Sequence, residues 1–238
     1  MIVTIGKLLF LLPITLIFST LALISIPFIR TGDFFRWNPW IWSRIILWTF
    51  GIKLHVKGKE NLELGVPYIF VSNHASMFDI PTVIVALDGN VNIVFKKELT
   101  VVPIWGWALR YGPFIMIDRS NARNAMQSIE RAAQTIRNGQ SVILFAEGTR
   151  TKDGKLQSFK RGAFSLAVKA GVPVVPVIIN NTFGIMPKGS FNIKPADISV
   201  VIEKPISTEG LDGKYGEMKL MDQVHTTIEK YYINQIRI

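Results

Sequence analysis

YIFVSNHASMFD, residues 68–79, starts as a strand and ends as the beginning of a helix. Tyr68 to Val71 is a short apolar run, and Ser72, Asn73 and His74 are polar residues that stop it. Asp79 then precedes Ile80, Pro81 and a second apolar run, where a helix N-cap belongs, with Pro81 in the first turn. Strand, turn and helix in that order form the repeating unit of an α/β sheet. A separation of five puts His74 and Asp79 on opposite faces of a strand and about 140° apart on a helix. They can meet only across a turn, His74 from the strand end and Asp79 from the helix start. A carboxylate so placed holds the imidazole in one tautomer and leaves its other nitrogen as a base. The plainer alternative is an Asp79 that only caps its helix and a His74 that is an ordinary turn residue.

The same alternation runs outward in both directions. Leu54 to Val56, Pro67 to Val71, Val91 to Phe95, Phe114 to Ile117, Val142 to Phe145, Val174 to Ile179 and Ile198 to Ile202 read as strands from their β-branched content and length. Ala122 to Ile136 is an amphipathic helix, capped by Ser120 or Asn121 and ended by Asn138-Gly139. Ala163 to Ala170, closed by Gly171, and Met218 to Tyr232, with Leu220, Val224 and Ile228 inward, complete the set. Residues 51–238 therefore read as one α/β domain, a mixed, largely parallel sheet flanked by helices.

Residues 1–50 differ in kind and read as a membrane anchor. Leu8 to Ile29 is 22 residues without a charge, about 33 Å as a helix, close to the thickness of a hydrocarbon core. Pro13 and Pro27 leave a bent or re-entrant helix open beside a spanning one. A signal peptide is disfavoured, since no Ala-x-Ala-like site follows. Phe34 to Ile52 holds Trp37, Trp40, Trp42 and Trp48, four of the chain's 6 tryptophans, with Arg36 and Arg44 among them. That pattern fits a helix at headgroup level or a core helix packed on the next domain.

Composition narrows the chemistry. With 49% hydrophobic residues and 18% charged residues, the chain is too apolar for disorder. Its net charge of +10 suits nucleic acid or an anionic membrane surface. The Lys and Arg residues are spread along the chain with no basic helix or RNP-like strand, so nucleic acid is not the expected partner. The absence of cysteine removes thiol nucleophiles, Fe–S clusters and Cys-based zinc sites. The 3 histidines leave little for a His-rich site, and no metal is expected. His55 and His225 read as structural or surface residues. No G-x-S-x-G, Walker A, G-x-G-x-x-G or H-E-x-x-H pattern occurs. What does occur is a cation at or just beyond a strand end: Lys96 in FKKEL, Arg119 in GPFIMIDR and Arg150 in FAEGTR. Ligands gather at strand ends of an α/β sheet, so these three converging on one mouth would bind phosphate. Trp105 and Trp107 could line an apolar groove, but core packing is the expectation for them.

NHASMFD, GPFIMIDR, FAEGTR and the VPVVPV run of residues 172–177 stand in the order of four motifs of the glycerolipid acyltransferases. Over residues 50–210 the chain resembles that family, and within it the bacterial 1-acyl-sn-glycerol-3-phosphate acyltransferases. Ala146 replaces the proline that commonly precedes E-G-T-R there. The resemblance implies transfer of a fatty acyl chain from acyl-CoA or acyl-carrier protein to the sn-2 hydroxyl of lysophosphatidic acid, giving phosphatidic acid without a cofactor. It makes His74 the general base and Asp79 the residue that orients it. Lys96, Arg119 and Arg150 become phosphate ligands. Glu147, Gly148 and Thr149 shape the substrate loop, Glu147 meeting a substrate hydroxyl. Backbone N–H groups near His74 would face the developing oxyanion. It also implies contact with membrane phospholipids at the cytoplasmic face of the inner membrane. Acylation of another lysophospholipid or of glycerol 3-phosphate is the nearest alternative, and a non-catalytic lipid-binding protein the alternative of a different class.

Overall fold

A computed structural model describes residues 2–28, 33–118, 120–190 and 192–233. Seven strands form one sheet: β1 (Leu54–Lys57), β2 (Ile69–Ser72), β3 (Asn92–Lys96), β4 (Ile115–Ile117), β5 (Val142–Phe145), β6 (Val174–Asn180) and β7 (Ile198–Ile202). Their order is β1-β7-β6-β2-β5-β3-β4. Every pair is parallel except β6 with β7. The mixed, largely parallel sheet read from the sequence is thus observed, with the seven expected strands present. The middle strands β2 and β6 are buried along their whole length, as continuous apolar runs require when helices cover both faces. Pro176 is tolerated inside β6 because it falls between the β6–β7 ladder, which starts at Val177, and a separate antiparallel bridge of Val174 with Ile206. Its carbonyl accepts from Glu203 just past β7, and its missing donor faces the interruption between the two.

Period-2 alternation divides the core between the faces. Ile69, Val71, Val174 and Ile178 face α5 (Ala122–Arg137), α6 (Gly162–Ala170) and α8 (Gly213–Tyr231) through Ala133, Ile136, Phe164 and Leu220. Phe70, Val175 and Ile179 face α2 (Asp33–Thr49) and α3 (Asp79–Ala86) through Leu47, Phe50 and Val83. α8 begins at Gly213, a turn and more before the expected start at Met218, because its opening residues carry no apolar stripe.

The helix α1 (Ile2–Ser25) is long and apolar enough to cross a membrane over Thr4–Ser25, and only 17% of that window is buried. It packs on α2, where Trp42 Nε1 donates to Thr15 Oγ1 at 3.0 Å and Asn38 Nδ2 to the Phe18 carbonyl at 3.2 Å. It also packs on α4 (Trp105–Tyr111), with Ala22 clustered against Ala108. The opposite side of α2 lies on α3, with Phe50 and Phe78 edge to face at 5.3 Å. Trp48 stays 75% exposed, so α2 has a packed face and an open one. The expected core packing of Trp107 is corrected: it is 46% exposed. α4 turns Ala108 and Gly106 inward, Gly106 so tightly that a Cβ would collide with the Leu99 carbonyl, and Trp107 between them points out. A short α7 (Thr182–Ile185) follows β6.

Candidate active site

The parallel strands β6, β2, β5, β3 and β4 bring their C-terminal ends to one edge of the sheet. His74 lies two residues beyond β2, and the turn it sits on is fastened to β6. Asn73, fully buried, donates from Nδ2 to the Ile179 carbonyl at 2.9 Å and accepts the Ile179 N–H at Oδ1 at 2.8 Å. The turn then reverses, so that Asp79 faces back toward His74. Asp79 Oδ2 accepts from His74 Nδ1 at 2.7 Å, from Ala75 N at 2.7 Å and from Ser76 N at 2.8 Å. Asp79 is therefore the first helical residue of α3 and binds the turn upstream of it, which corrects the N-cap reading. A carboxylate oxygen can only accept, so Nδ1 carries the proton and Nε2 keeps its lone pair. The imidazole is 16% exposed beside a fully buried carboxylate. It stacks on Phe145 at 4.2 Å between centroids, which fixes its plane.

The FAEGTR segment leaves the adjacent strand β5 and wraps the same histidine. Ala146 N donates to the Ser72 carbonyl at 3.1 Å, and Gly148, at φ 73, turns the chain with its N–H on the Phe145 carbonyl at 3.0 Å. Glu147 Oε1 accepts the His74 N–H at 2.6 Å and Oε2 accepts the Gln157 N–H at 3.2 Å. At 2% exposure, with one backbone donor on each oxygen, Glu147 is engaged in holding the two chain segments together. Burial pushes its carboxyl up from 4.5 to about 7; the two backbone donors oppose this and the charges of Asp79 and Asp153 reinforce it. The Thr151 N–H donates to the His74 carbonyl at 2.8 Å. One loop thus holds the His74 peptide at its N–H and at its C=O. Thr149 is exposed and Arg150 half-buried between these anchors.

Lys96 ends β3, two strand positions from β2, or roughly 9–10 Å along the edge. It is exposed, whereas Lys97 next to it is held by Asp118 at 2.8 Å. That contact and the Ser120 bonds keep the Asp118 carboxyl well below the usual range. Lys96 and Arg150 share the active edge; Arg119 lies outside the described residues. The N–H groups of His74, Ala75 and Ser76, expected near an oxyanion, are already donated to Glu147 and Asp79. Residues not singled out from the sequence include Asn73, Ser76, whose hydroxyl donates to the Met186 carbonyl at 3.0 Å, and Lys188, whose Nζ donates to Thr149 Oγ1 at 2.9 Å. Only Asn73 and Ser76 had a local signal, as polar residues in an otherwise apolar strand exit. Among the described residues no cluster of three or more His, Asp or Glu could hold a metal ion.

A carboxylate-held imidazole beside a cation-bearing loop is an arrangement that general-base chemistry can use. Residues 53–180 match the Acyltransferase family, and the chain belongs to it. It is 39% identical over 168 residues to the chloroplastic 1-acyl-sn-glycerol-3-phosphate acyltransferase of Brassica napus, covering 70% of this chain and 48% of that protein. To the chloroplastic enzyme of the same name from Arabidopsis thaliana it is 37% identical over 193 residues, covering 78% and 54%. The chain thus spans about half the length of these curated relatives. The crystal structure of the 1-acyl-sn-glycerophosphate acyltransferase of Thermotoga maritima superposes with a TM-score of 0.81 at 25% identity, over 96% of this chain and 92% of that one.

Proposed function

We propose that this chain transfers a fatty acyl group from acyl-CoA or acyl-carrier protein to the sn-2 hydroxyl of 1-acyl-sn-glycerol 3-phosphate, forming phosphatidic acid. The observation that carries this reading is the 2.7 Å contact of His74 Nδ1 with Asp79 Oδ2, which leaves Nε2 as a base beside the Gly148–Arg150 loop. Nε2 takes the hydroxyl proton as that oxygen attacks the thioester carbonyl, and the tetrahedral intermediate expels a thiolate. The thiolate recovers the proton from the imidazolium, which Asp79 has stabilised, so no acyl-enzyme forms and no cofactor is needed. Lys96, Arg119 and Arg150 bind the acceptor's phosphate, Arg150 with its planar fork. Support for the acceptor comes from the names of the plant relatives and of the Thermotoga protein.

In this reading residues 1–50 seat residues 51–238 on a membrane. The open face of α1 and Trp48 meet lipid, and the net charge of +10 favours an anionic surface. The cytoplasmic face of an inner membrane is where both donors are dissolved, and a bacterial enzyme of this type has that setting. Purified protein given lysophosphatidic acid with acyl-CoA or acyl-carrier protein, and products resolved by mass, tests the proposal. Phosphatidic acid is the expected product; none with either donor would end it.

A further inference from the structure

We infer that Lys188 is a further phosphate ligand of this site, acting together with Thr149 and Arg150. The inference rests on the acyl-transfer reading for the location of the site, but not for its test. Lys188 reaches the active edge on a third chain segment, after β6 and α7. That segment is well fixed. Phe183 and Ile185 are buried behind it, and the Met186 carbonyl accepts from Ser76 Oγ at 3.0 Å, which ties it to the turn carrying His74. Pro187 to Ser190 closes a four-residue turn, with the Ser190 N–H on the Pro187 carbonyl at 3.0 Å and Gly189 at φ 83. A positive φ at the third position, occupied by glycine, is the signature of a type II turn, and it presents Lys188 at the second.

From there Nζ donates to Thr149 Oγ1 at 2.9 Å. Thr149 precedes Arg150, and Thr151 is bonded to the His74 carbonyl at 2.8 Å. Lys188 is thereby held one residue from Arg150 on the loop that is bonded to the His74 peptide. Its charge is not neutralised there. Lys59, Lys97 and Lys169 each meet a carboxylate, on Asp88, Asp118 and Glu130. Among the described residues Lys188 meets only a neutral hydroxyl. An ammonium has three N–H donors, and one is used. Thr149 accepts that bond and keeps its own O–H to donate. Two cations from different segments and a hydroxyl bonded to one of them supply the charge and the donors that a phosphate ester takes. Two sources carry one: the acceptor's phosphomonoester and the phosphates of a nucleotide or pantetheine donor.

The test is equilibrium binding to the full chain in detergent micelles, using lysophosphatidic acid, monoacylglycerol and coenzyme A, for wild type, Lys188→Gln and Lys188→Arg. Lys188→Gln is expected to weaken lysophosphatidic acid by about 10-fold or more and to leave monoacylglycerol unchanged, with Lys188→Arg in between. The same loss on coenzyme A instead supports the inference and assigns the phosphate to the donor. Unchanged affinity for both phosphate ligands in Lys188→Gln with wild-type melting overturns it. So does an equal loss for monoacylglycerol, or a wild type that prefers neither phosphate ligand. A chain that shows Lys188-dependent phosphate binding yet makes no phosphatidic acid would sink the acyl-transfer reading and leave this one standing.

Discussion

Asn73 and Ile179 exchange two hydrogen bonds, Nδ2 to carbonyl at 2.9 Å and N–H to Oδ1 at 2.8 Å, as though the side chain were one more residue of strand β2. The amide continues the β2–β6 ladder past its last backbone pair at Ser72 and Val177, so the chain can leave the sheet while its exit point stays fixed. His74 is the next residue. Asn73→Ala removes both buried bonds and should destabilise the protein by roughly 1–3 kcal/mol. It should also slow turnover and weaken acceptor binding together, because the Arg150 loop is bonded to the His74 peptide and shifts with it. Melting curves with kcat and KM for lysophosphatidic acid check this; loss of stability with wild-type kcat would make Asn73 a core residue only.

His74→Ala should reduce acyl transfer by about 10² to 10⁴-fold with the fold intact. Asp79→Asn should come close to it in rate, since an amide cannot stabilise an imidazolium. Its stability loss should be modest, because one acceptor oxygen remains for Ala75 and Ser76. A His74→Ala protein of normal circular dichroism that still turns over near the wild-type rate would exclude the mechanism.

Glu147 sets a pH dependence of stability. Its carboxyl sits at about 7 in the folded chain against 4.5 as the ordinary value. Between those values the folded state holds a proton that the unfolded chain has released. Stability from this group is full below about 4.5, is lost as pH rises toward 7 and is level above. In Glu147→Gln that slope should vanish, along with one of the two bonds to His74 and Gln157. Melting temperatures of both proteins from pH 4.5 to 8 decide it; identical profiles would remove Glu147 as the titrating group.

Arg150→Ala should mainly raise KM for lysophosphatidic acid, by about 10 to 150-fold, and hardly change that for the acyl donor. Arg150→Lys should recover only part, because the planar fork is lost. An effect confined to the donor would move Arg150 to the thioester side.

Deleting residues 1–30 should release part of the protein from vesicles and leave part bound, through the open face of α2 that carries Trp48. Replacing Trp48 by Gln in the truncated chain should lower the bound fraction further. Flotation with anionic vesicles measures both; a truncated chain found wholly in solution would end the interfacial role of α2.

The strands and the His74–Asp79 pair were legible because each has a local signature, a β-branched run or a fixed spacing around a turn. The direction of β7 was not, since antiparallel pairing with β6 is a choice of topology that a five-residue run does not encode. α4 and α7 span less than two turns or little over one, too few residues for a helical period to show. The Glu147–His74 and Lys188–Thr149 contacts join residues 73 and 39 apart. No spacing rule reaches that far, so neither contact can be read from the sequence. The Asp79 bond to His74 follows from the spacing, but its bonds to Ala75 and Ser76 do not, because a carboxylate at a helix start can face either its own helix or the turn before it.

The two bonds that hold the His74 peptide, from its N–H to Glu147 and from Thr151 to its C=O, make the base and the anion loop one unit of local opening. Neither amide proton can reach solvent unless the FAEGTR segment lifts from β2. The His74 and Thr151 amides should therefore exchange with deuterium in a single event, at a cost set by the loop rather than by the sheet. Warming or mild denaturant would then abolish proton abstraction and acceptor affinity together, before the strands themselves come apart.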